Sequence, residues 1–314
     1  MVDGNTVWLC PGQGAQKVGM GKDLAERFPA ARATFQSIDD ALGVKLSTLM
    51  FEGPEAELTA THNAQPAILA HSAAVFAVIG AAGGTAVAAA GHSLGEYSAY
   101  VTAGALQAAQ AAKLVRRRGE LMQQAGAARP GTMAAVLGLA TADVDAACRE
   151  ASTATEVAVA ANLNAPDQTV ISGDPAAVTR AGEGCKARGA KRVIPLKVSG
   201  AFHSPLMAPA AAELQRALGA APFRDPAFPV VANATAEPVR GADEARRRLA
   251  EQLTAPVRWV ACMERAAAIA GAGARFIEIG PGGVLAGLLK RIVSGATVVS
   301  VGTADEVTKF LEAA

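Results

Sequence analysis

A short apolar run that turns through Gly-X-Ser-X-Gly into a helix-forming segment constrains this chain more than any other feature. Residues 86–98 read Ala-Val-Ala-Ala-Ala-Gly-His-Ser-Leu-Gly-Glu-Tyr-Ser. They predict a buried strand, a tight turn at Gly91-His92-Ser93-Leu94-Gly95, and a helix over 95–104. So tight a turn leaves no room for side chains at its flanks, which explains a glycine on each side of Ser93. The serine is expected in a strained backbone conformation, its hydroxyl exposed at the carboxyl end of the strand. The helix that follows aims its first amides, that of Leu94 among them, at any oxyanion forming there. A bare Gly-X-Ser-X-Gly arises by chance, but strand before and helix after mark a nucleophile elbow. Acyl transfer is the leading expectation.

The 314 residues can bury a substantial core, as one large domain or two smaller ones. With 51% hydrophobic and 18% charged residues the composition is that of a compact soluble protein. A net charge of +1 gives no basic stripe for nucleic acid. Cys10, Cys148, Cys185 and Cys262 lie far apart without zinc-like spacing, and a reducing cytoplasm suits them best. The N-terminus lacks the pattern of a signal peptide. Residues 63–94 carry no Asp, Glu, Lys or Arg, yet Gly80 to Thr85 interrupt the run and alanine dominates it. A membrane span needs about 20 strongly apolar residues, so a buried helix, a loop and a buried strand are expected instead.

Along the chain, strands are predicted over 6–10, 133–139, 157–163, 168–172, 192–198, 230–233, 275–279 and 297–301. Helices are predicted over 21–28, 30–42, 65–79, 108–124, 142–152, 175–188, 205–218, 242–253 and 257–270, and from the Gly280 loop to about 293. Thr141 is the expected N-cap of the 142–152 helix, and Asn164-Ala165-Pro166-Asp167 a turn. Helices alternating with short apolar strands argue a mostly parallel sheet covered on both faces. Residues 131–198 follow the order βαββαβ, a ferredoxin-like small domain inserted into a larger one formed by 1–130 and 199–314.

A serine nucleophile needs a base, and four histidines are available. His92 lies inside the elbow with its side chain turned away, and His62 and His71 lie before or in a helix, as surface or satisfied core residues. His203 lies in a loop leaving the small domain, where catalytic groups are commonly carried, and is the expected general base. No carboxylate stands out as its partner, which argues against an ordinary esterase or lipase. A backbone carbonyl could hold the imidazole instead. Neither Gly12-Gln13-Gly14 nor Gly280-Pro281-Gly282 continues as a dinucleotide motif, and neither a phosphate-binding loop nor a metal-ligand cluster is evident.

Several segments together carry a more specific resemblance. They are Pro11-Gly12-Gln13-Gly14-Ala15-Gln16, Gln65-Pro66-Ala67, Gly91 to Tyr97, Arg118-Gly119 with Met122, Asn162 and Asn164, and Phe202-His203. Gln252-Leu253 with Pro256-Val257-Arg258-Trp259, and Glu278-Ile279-Gly280-Pro281-Gly282 with Val284-Leu285, complete the set. In this order, over residues 6–293, the sequence resembles the malonyl-CoA:acyl-carrier-protein transacylases of fatty-acid synthesis and the acyltransferase domains of polyketide synthases.

The resemblance implies an α/β-hydrolase-like large domain with a ferredoxin-like insert. It also implies a ping-pong reaction in which Ser93 takes malonyl from malonyl-CoA and hands it to the phosphopantetheine thiol of an acyl carrier protein. His203 would be base and acid, oriented by the main-chain carbonyl of Gln252. The amides of Gln13 and Leu94 would form the oxyanion hole, and Arg118 would pair with the malonyl carboxylate. Such a pair is worth about 1.5–3 kcal/mol, or ten- to a hundredfold in favour of malonyl over acetyl. Gln65, Phe202, Asn162 and Asn164 would line or support the acyl pocket, the Phe202 ring crowding an α-methyl branch. Arg116 and Arg117 read as solvated charges. No cofactor or metal is expected, nor nucleic acid or membrane as partner, and a monomer is the default. Two rivals share the sequence: a hydrolase in which water resolves the same acyl-enzyme, and a non-catalytic docking module for a carrier protein.

Overall fold

The computed structural model describes residues 4–313; residues 1–3 and 314, the extreme limits of the expected large domain, lie outside the described residues. Two sheets organise the chain. The first has six strands: β1 (Thr6–Cys10), β2 (Ala88–Gly91), β7 (Val230–Val231), β8 (Pro238–Val239), β9 (Arg275–Ile279) and β10 (Thr297–Val301). Their order is β10-β9-β1-β2-β7-β8, parallel throughout except for the β7–β8 pair. The central strands are buried on both faces, and their side chains alternate between two separate cores as a period of two requires. Trp8, Cys10, Ala89, Ile277 and Ile279 enter one core, and Val7, Leu9, Ala88, Ala90 and Phe276 the other.

Helices Pro29–Leu42, Thr61–Ala81 and Ala108–Ala128 cover the first face, and Trp259–Ala270 and Val284–Leu289 the second. Thr61–Ala81 is long and apolar enough to cross a membrane, but 78% of its apolar window is buried inside this fold. The helix runs through Pro66, whose missing N–H leaves the His62 carbonyl without its helical donor. Arg116 fills the gap, donating to that carbonyl at 3.1 Å and to Asn63 Oδ1. Arg116 is therefore half-buried and structural, not simply solvated, while Arg117 pairs with Glu120 and Glu213. At the other edge, buried Glu278 explains the Glu278 to Leu285 motif. Its carboxylate accepts from the amides of Leu285 at 3.0 Å and Ala286 at 2.8 Å, capping the helix that follows β9.

The second sheet contains β3 (Thr132–Leu137), β4 (Ala158–Ala165), β5 (Gln168–Gly173) and β6 (Arg192–Pro195), all antiparallel, in the order β4-β5-β3-β6. Helices Thr141–Ala151 and Pro175–Ala187 pack on one face of it around Val136, Val144, Ile171 and Ala181. The element sequence is the βαββαβ order expected. Several expected boundaries shift. Thr141 is the first helical residue, its hydroxyl 3.1 Å from that of Thr169, and Ala140 takes the cap position. β4 runs on through Asn164 and Ala165, with register shifts at Ala160/Asn162 and Leu163/Ala165 of the kind that bend a strand. There it meets the other part of the chain: Leu163 N donates to the Val257 carbonyl and Val257 N to that of Ala161. Val257 is thus held in a bridge, and the next helix starts only at Trp259. β6 ends at Pro195 and the last helix before β10 at Leu289, both short of expectation. All four cysteines are free and buried.

Candidate active site

The elbow forms where β2 ends beside β1. A Cβ on Gly91 would lie 1.9 Å from the Gly95 carbonyl, and one on Gly95 only 2.1 Å from the Cys10 oxygen. Both must be glycine for strand and helix to meet. Between them Ser93 adopts φ 53°, in the left-handed region that costs an ordinary residue of order 1–3 kcal/mol. His203, following the buried Phe202, has the same unusual conformation at φ 56°. Two strained residues thus face one another. Ser93 Oγ and His203 Nε2 are 2.8 Å apart, and His203 Nδ1 lies 3.0 Å from the Gln252 carbonyl. A carbonyl can only accept, so Nδ1 carries the ring proton and Nε2 is free to take one from the serine.

Burial and the nearby Arg118 charge push the His203 imidazole down to about 3, partly offset by its bond to Gln252. It is neutral and ready as a base across the physiological range. Arg118, 1% exposed, donates through Nη2 to Ser93 Oγ at 3.1 Å and to Gln252 Oε1 at 3.0 Å, and through Nη1 to Gln65 Oε1 at 2.6 Å. Its approach depends on Gly119, where a Cβ would stand 2.6 Å from the His62 Cα. Helices Ala108–Ala128 and Thr61–Ala81 therefore pack closely enough for Arg118 and Gln65 to meet.

A cavity of about 290 Å³ opens onto the pair, lined by Gln13, His92, Ser93, Met122, Met133, Asn162, Phe202, His203 and residues 196–198. A wider recess of about 590 Å³ adjoins it, sharing Gln13, Thr59, Lys197 and Val198. Of the expected pocket residues, Phe202 and Asn162 line the cavity. Gln65 and Asn164 stand behind its wall: Gln65 holds Arg118, and Asn164 Oδ1 holds His92 Nε2 at 2.8 Å. His92, stacked obliquely 5.3 Å from Trp259, lies on the cavity wall and makes no hydrogen bond to the serine hydroxyl. The amides of Gln13 and Leu94 donate to no protein acceptor among the described residues.

Two polar residues of the site escaped the sequence reading. Asn233 lies just past β7; its Oδ1 accepts from Ser93 N at 2.7 Å and its Nδ2 donates to the Gly91 carbonyl at 2.8 Å. Glu96, fully buried under the elbow, accepts from Asn233 N at 2.9 Å and Gln252 Nε2 at 2.8 Å. The only sequence signal for either was proximity to a feature already named: Glu96 within the elbow motif, Asn233 at a strand end.

The sequence profile of the family described as acyl transferase domain matches residues 7–313. The chain is 47% identical to the malonyl CoA-acyl carrier protein transacylase of Bacillus subtilis (strain 168), over 91% of this chain and 89% of that one. Identity to the enzyme of the same name from Escherichia coli (strain K12) is 43%, over 97% and 98%. An acyl carrier protein S-malonyltransferase from Vibrio cholerae superposes with a TM-score of 0.93 at 42% identity, covering 98% of this chain and 99% of its own. A malonyl-transacylase solved with its type II polyketide acyl carrier protein gives 0.92 at 42% identity, with the same coverage.

Proposed function

The chain belongs to the acyl transferase domain family, among the malonyl CoA-acyl carrier protein transacylases, and on that premise we propose that it moves malonyl from CoA to an acyl carrier protein through a malonyl-Ser93 intermediate. Ser93 Oγ attacks the thioester carbonyl carbon while His203 Nε2 takes the hydroxyl proton. The tetrahedral oxyanion sits against the amides of Gln13 and Leu94. Its collapse breaks the carbon–sulfur bond, and the departing CoA sulfur receives the proton held by His203. The phosphopantetheine thiol of the carrier then enters by the reverse steps, and serine and histidine return to their starting state. The Gln252 carbonyl keeps the imidazole in the required tautomer throughout, the part a carboxylate plays in a triad. No cofactor enters these steps.

One observation carries the choice of acyl group: the Arg118 guanidinium touches the nucleophile oxygen itself, at 3.1 Å. An acyl chain bonded to that oxygen meets the cation within a few bonds of its carbonyl. A short dicarboxylic half-thioester such as malonyl reaches it, whereas acetyl offers no charge and leaves a buried cation unpaired. The Phe202 ring on the cavity wall narrows the space beside the acyl chain.

Intact mass after brief mixing with malonyl-CoA, acetyl-CoA or methylmalonyl-CoA tests the reading directly. A malonyl adduct is expected on the wild type, absent from Ser93→Ala, and discharged by a holo acyl carrier protein. Decay to free acid without the carrier would establish a hydrolase instead, and binding of carrier without any adduct a docking module.

A further inference from the structure

Arg118 is a buried cation without a directly bonded anion. Its hydrogen-bond partners are the Ser93 hydroxyl and the side-chain amides of Gln65 and Gln252, and none of the ion pairs among the described residues includes it. An uncompensated charge in such a place is costly. The nearest compensation comes through one amide. Gln252 Oε1 accepts from Arg118, while Gln252 Nε2 donates to the Ser93 carbonyl at 2.9 Å and to Glu96 Oε2 at 2.8 Å. Resting on the malonyl-transfer reading, we propose that Glu96 is a positioning residue for acyl selectivity, holding the Gln252 side chain so that Arg118 is fixed at the acyl carboxylate.

The chemistry of the three groups dictates one arrangement. A guanidinium has only donors and a carboxylate only acceptors, so the amide between them is forced to face oxygen to Arg118 and nitrogen to Glu96. Turned over, it would set an NH₂ against the guanidinium and a carbonyl against the carboxylate. Asn233 N donates to the same Glu96 oxygen, fixing the carboxylate in turn. The negative charge of Glu96 favours the charged form of Arg118. Burial pushes the Glu96 carboxyl up to about 7, with the bonds from Asn233 and Gln252 and the positive charge of Arg118 opposing it. Without Glu96 the amide keeps only the Ser93 carbonyl and a bond to Asn233 Oδ1 near the limit, at 3.4 Å. The guanidinium then loses a fixed partner and its charge balance together.

Three readouts on the full chain test this. Single-turnover acylation from malonyl-CoA and acetyl-CoA gives the selectivity, and sulfonylation of Ser93 by phenylmethanesulfonyl fluoride, which carries no carboxylate for Arg118, reports the serine–histidine pair. Glu96→Ala is expected to lower the malonyl-to-acetyl preference by tenfold or more, a larger loss than any it causes in sulfonylation. Glu96→Gln, which keeps an acceptor oxygen for Gln252 Nε2 and Asn233 N, should recover most of that preference. A Glu96→Ala preference equal to wild type would overturn the proposal, as would equal losses in malonyl, acetyl and sulfonyl transfer by both variants. A wild type that forms no malonyl adduct, or shows no preference, overturns the malonyl reading and this inference with it.

Discussion

Ser93, His203 and Arg118 form a unit in which burial and the Arg118 charge together keep the imidazole neutral. His203 titrates near 3 because its protonated form would be desolvated beside a cation. General-base catalysis needs the neutral ring, and activity in the free enzyme falls only as pH drops through its pKa. Acylation kcat/KM is therefore expected to stay flat from about pH 8 down to about 5. An imidazole at its usual 6.5 would already have lost about tenfold at pH 5.5. Stopped-flow acylation across this range decides it, and an acid limb near 6.5 would contradict the burial argument. At this scale the nucleophile, base and cation were legible because their types are scarce and their motifs local. Glu96 and Asn233 were not. Their chemistry exists only once folding joins positions 137 residues apart, and a buried carboxylate after an elbow looks like any first-turn helix residue. Gln65 and Asn164 show the same limit: the sequence located them at the site, but only packing assigns them to the layer behind the wall.

The contact between Thr61–Ala81 and Ala108–Ala128 sets how far Arg118 reaches, and Gly119 sets that contact. A methyl group at this position meets His62 backbone at 2.6 Å, so the helices must separate rather than a side chain rotate. Overpacking of this kind typically costs about 1–3 kcal/mol. Gly119→Ala is expected to lower the thermal midpoint and to reduce acylation by malonyl-CoA more than by acetyl-CoA. An unchanged midpoint and an unchanged preference would mean that the helix spacing does not fix Arg118. The long helices and the central strands were readable from apolar periodicity, because each buries a full face. Short elements were lost. Leu46–Glu52 and Glu55–Thr59 are too brief to show a period. The final helix, Ala304–Glu312, went unread although Thr303 and Glu306 form a capping box. β6 and the helix after Val257 are shorter than their apolar patterns suggest, because Leu196 and Val198 line the cavity and Val257 bridges to Asn162 of β4.

Across the whole molecule, buried neutral imidazoles couple stability to pH, and His71 isolates the effect from catalysis. It reaches from the helix covering the first face to the Gly302 carbonyl, 2.7 Å away and 231 positions later, joining the N-terminal half to the end of β10. Burial lowers its pKa to about 4, with the Gly302 bond and the charges of Asp23 and Glu306 opposing and that of Lys17 assisting. In the unfolded chain the ring returns to its ordinary value near 6.5. Between these two values the unfolded state holds one proton that the folded state does not, so stability rises with pH and is lost as pH falls below 6.5. One such proton corresponds to about 1.4 kcal/mol per pH unit. His203, buried and lowered for the same reason, adds a second proton of the same sign. Glu96 works in the opposite sense between 4.5 and about 7, because its folded form holds the proton longer. The absolute slope is thus a sum of opposing contributions, whereas a difference between two proteins isolates one of them. His71→Asn is expected to be less stable than wild type at pH 6.5, but its urea midpoint should fall less steeply towards pH 4.5. The slope should be shallower by roughly one proton's worth. Parallel slopes for the two proteins would mean that His71 is already charged in the fold and that its bond to Gly302, rather than its burial, controls the titration.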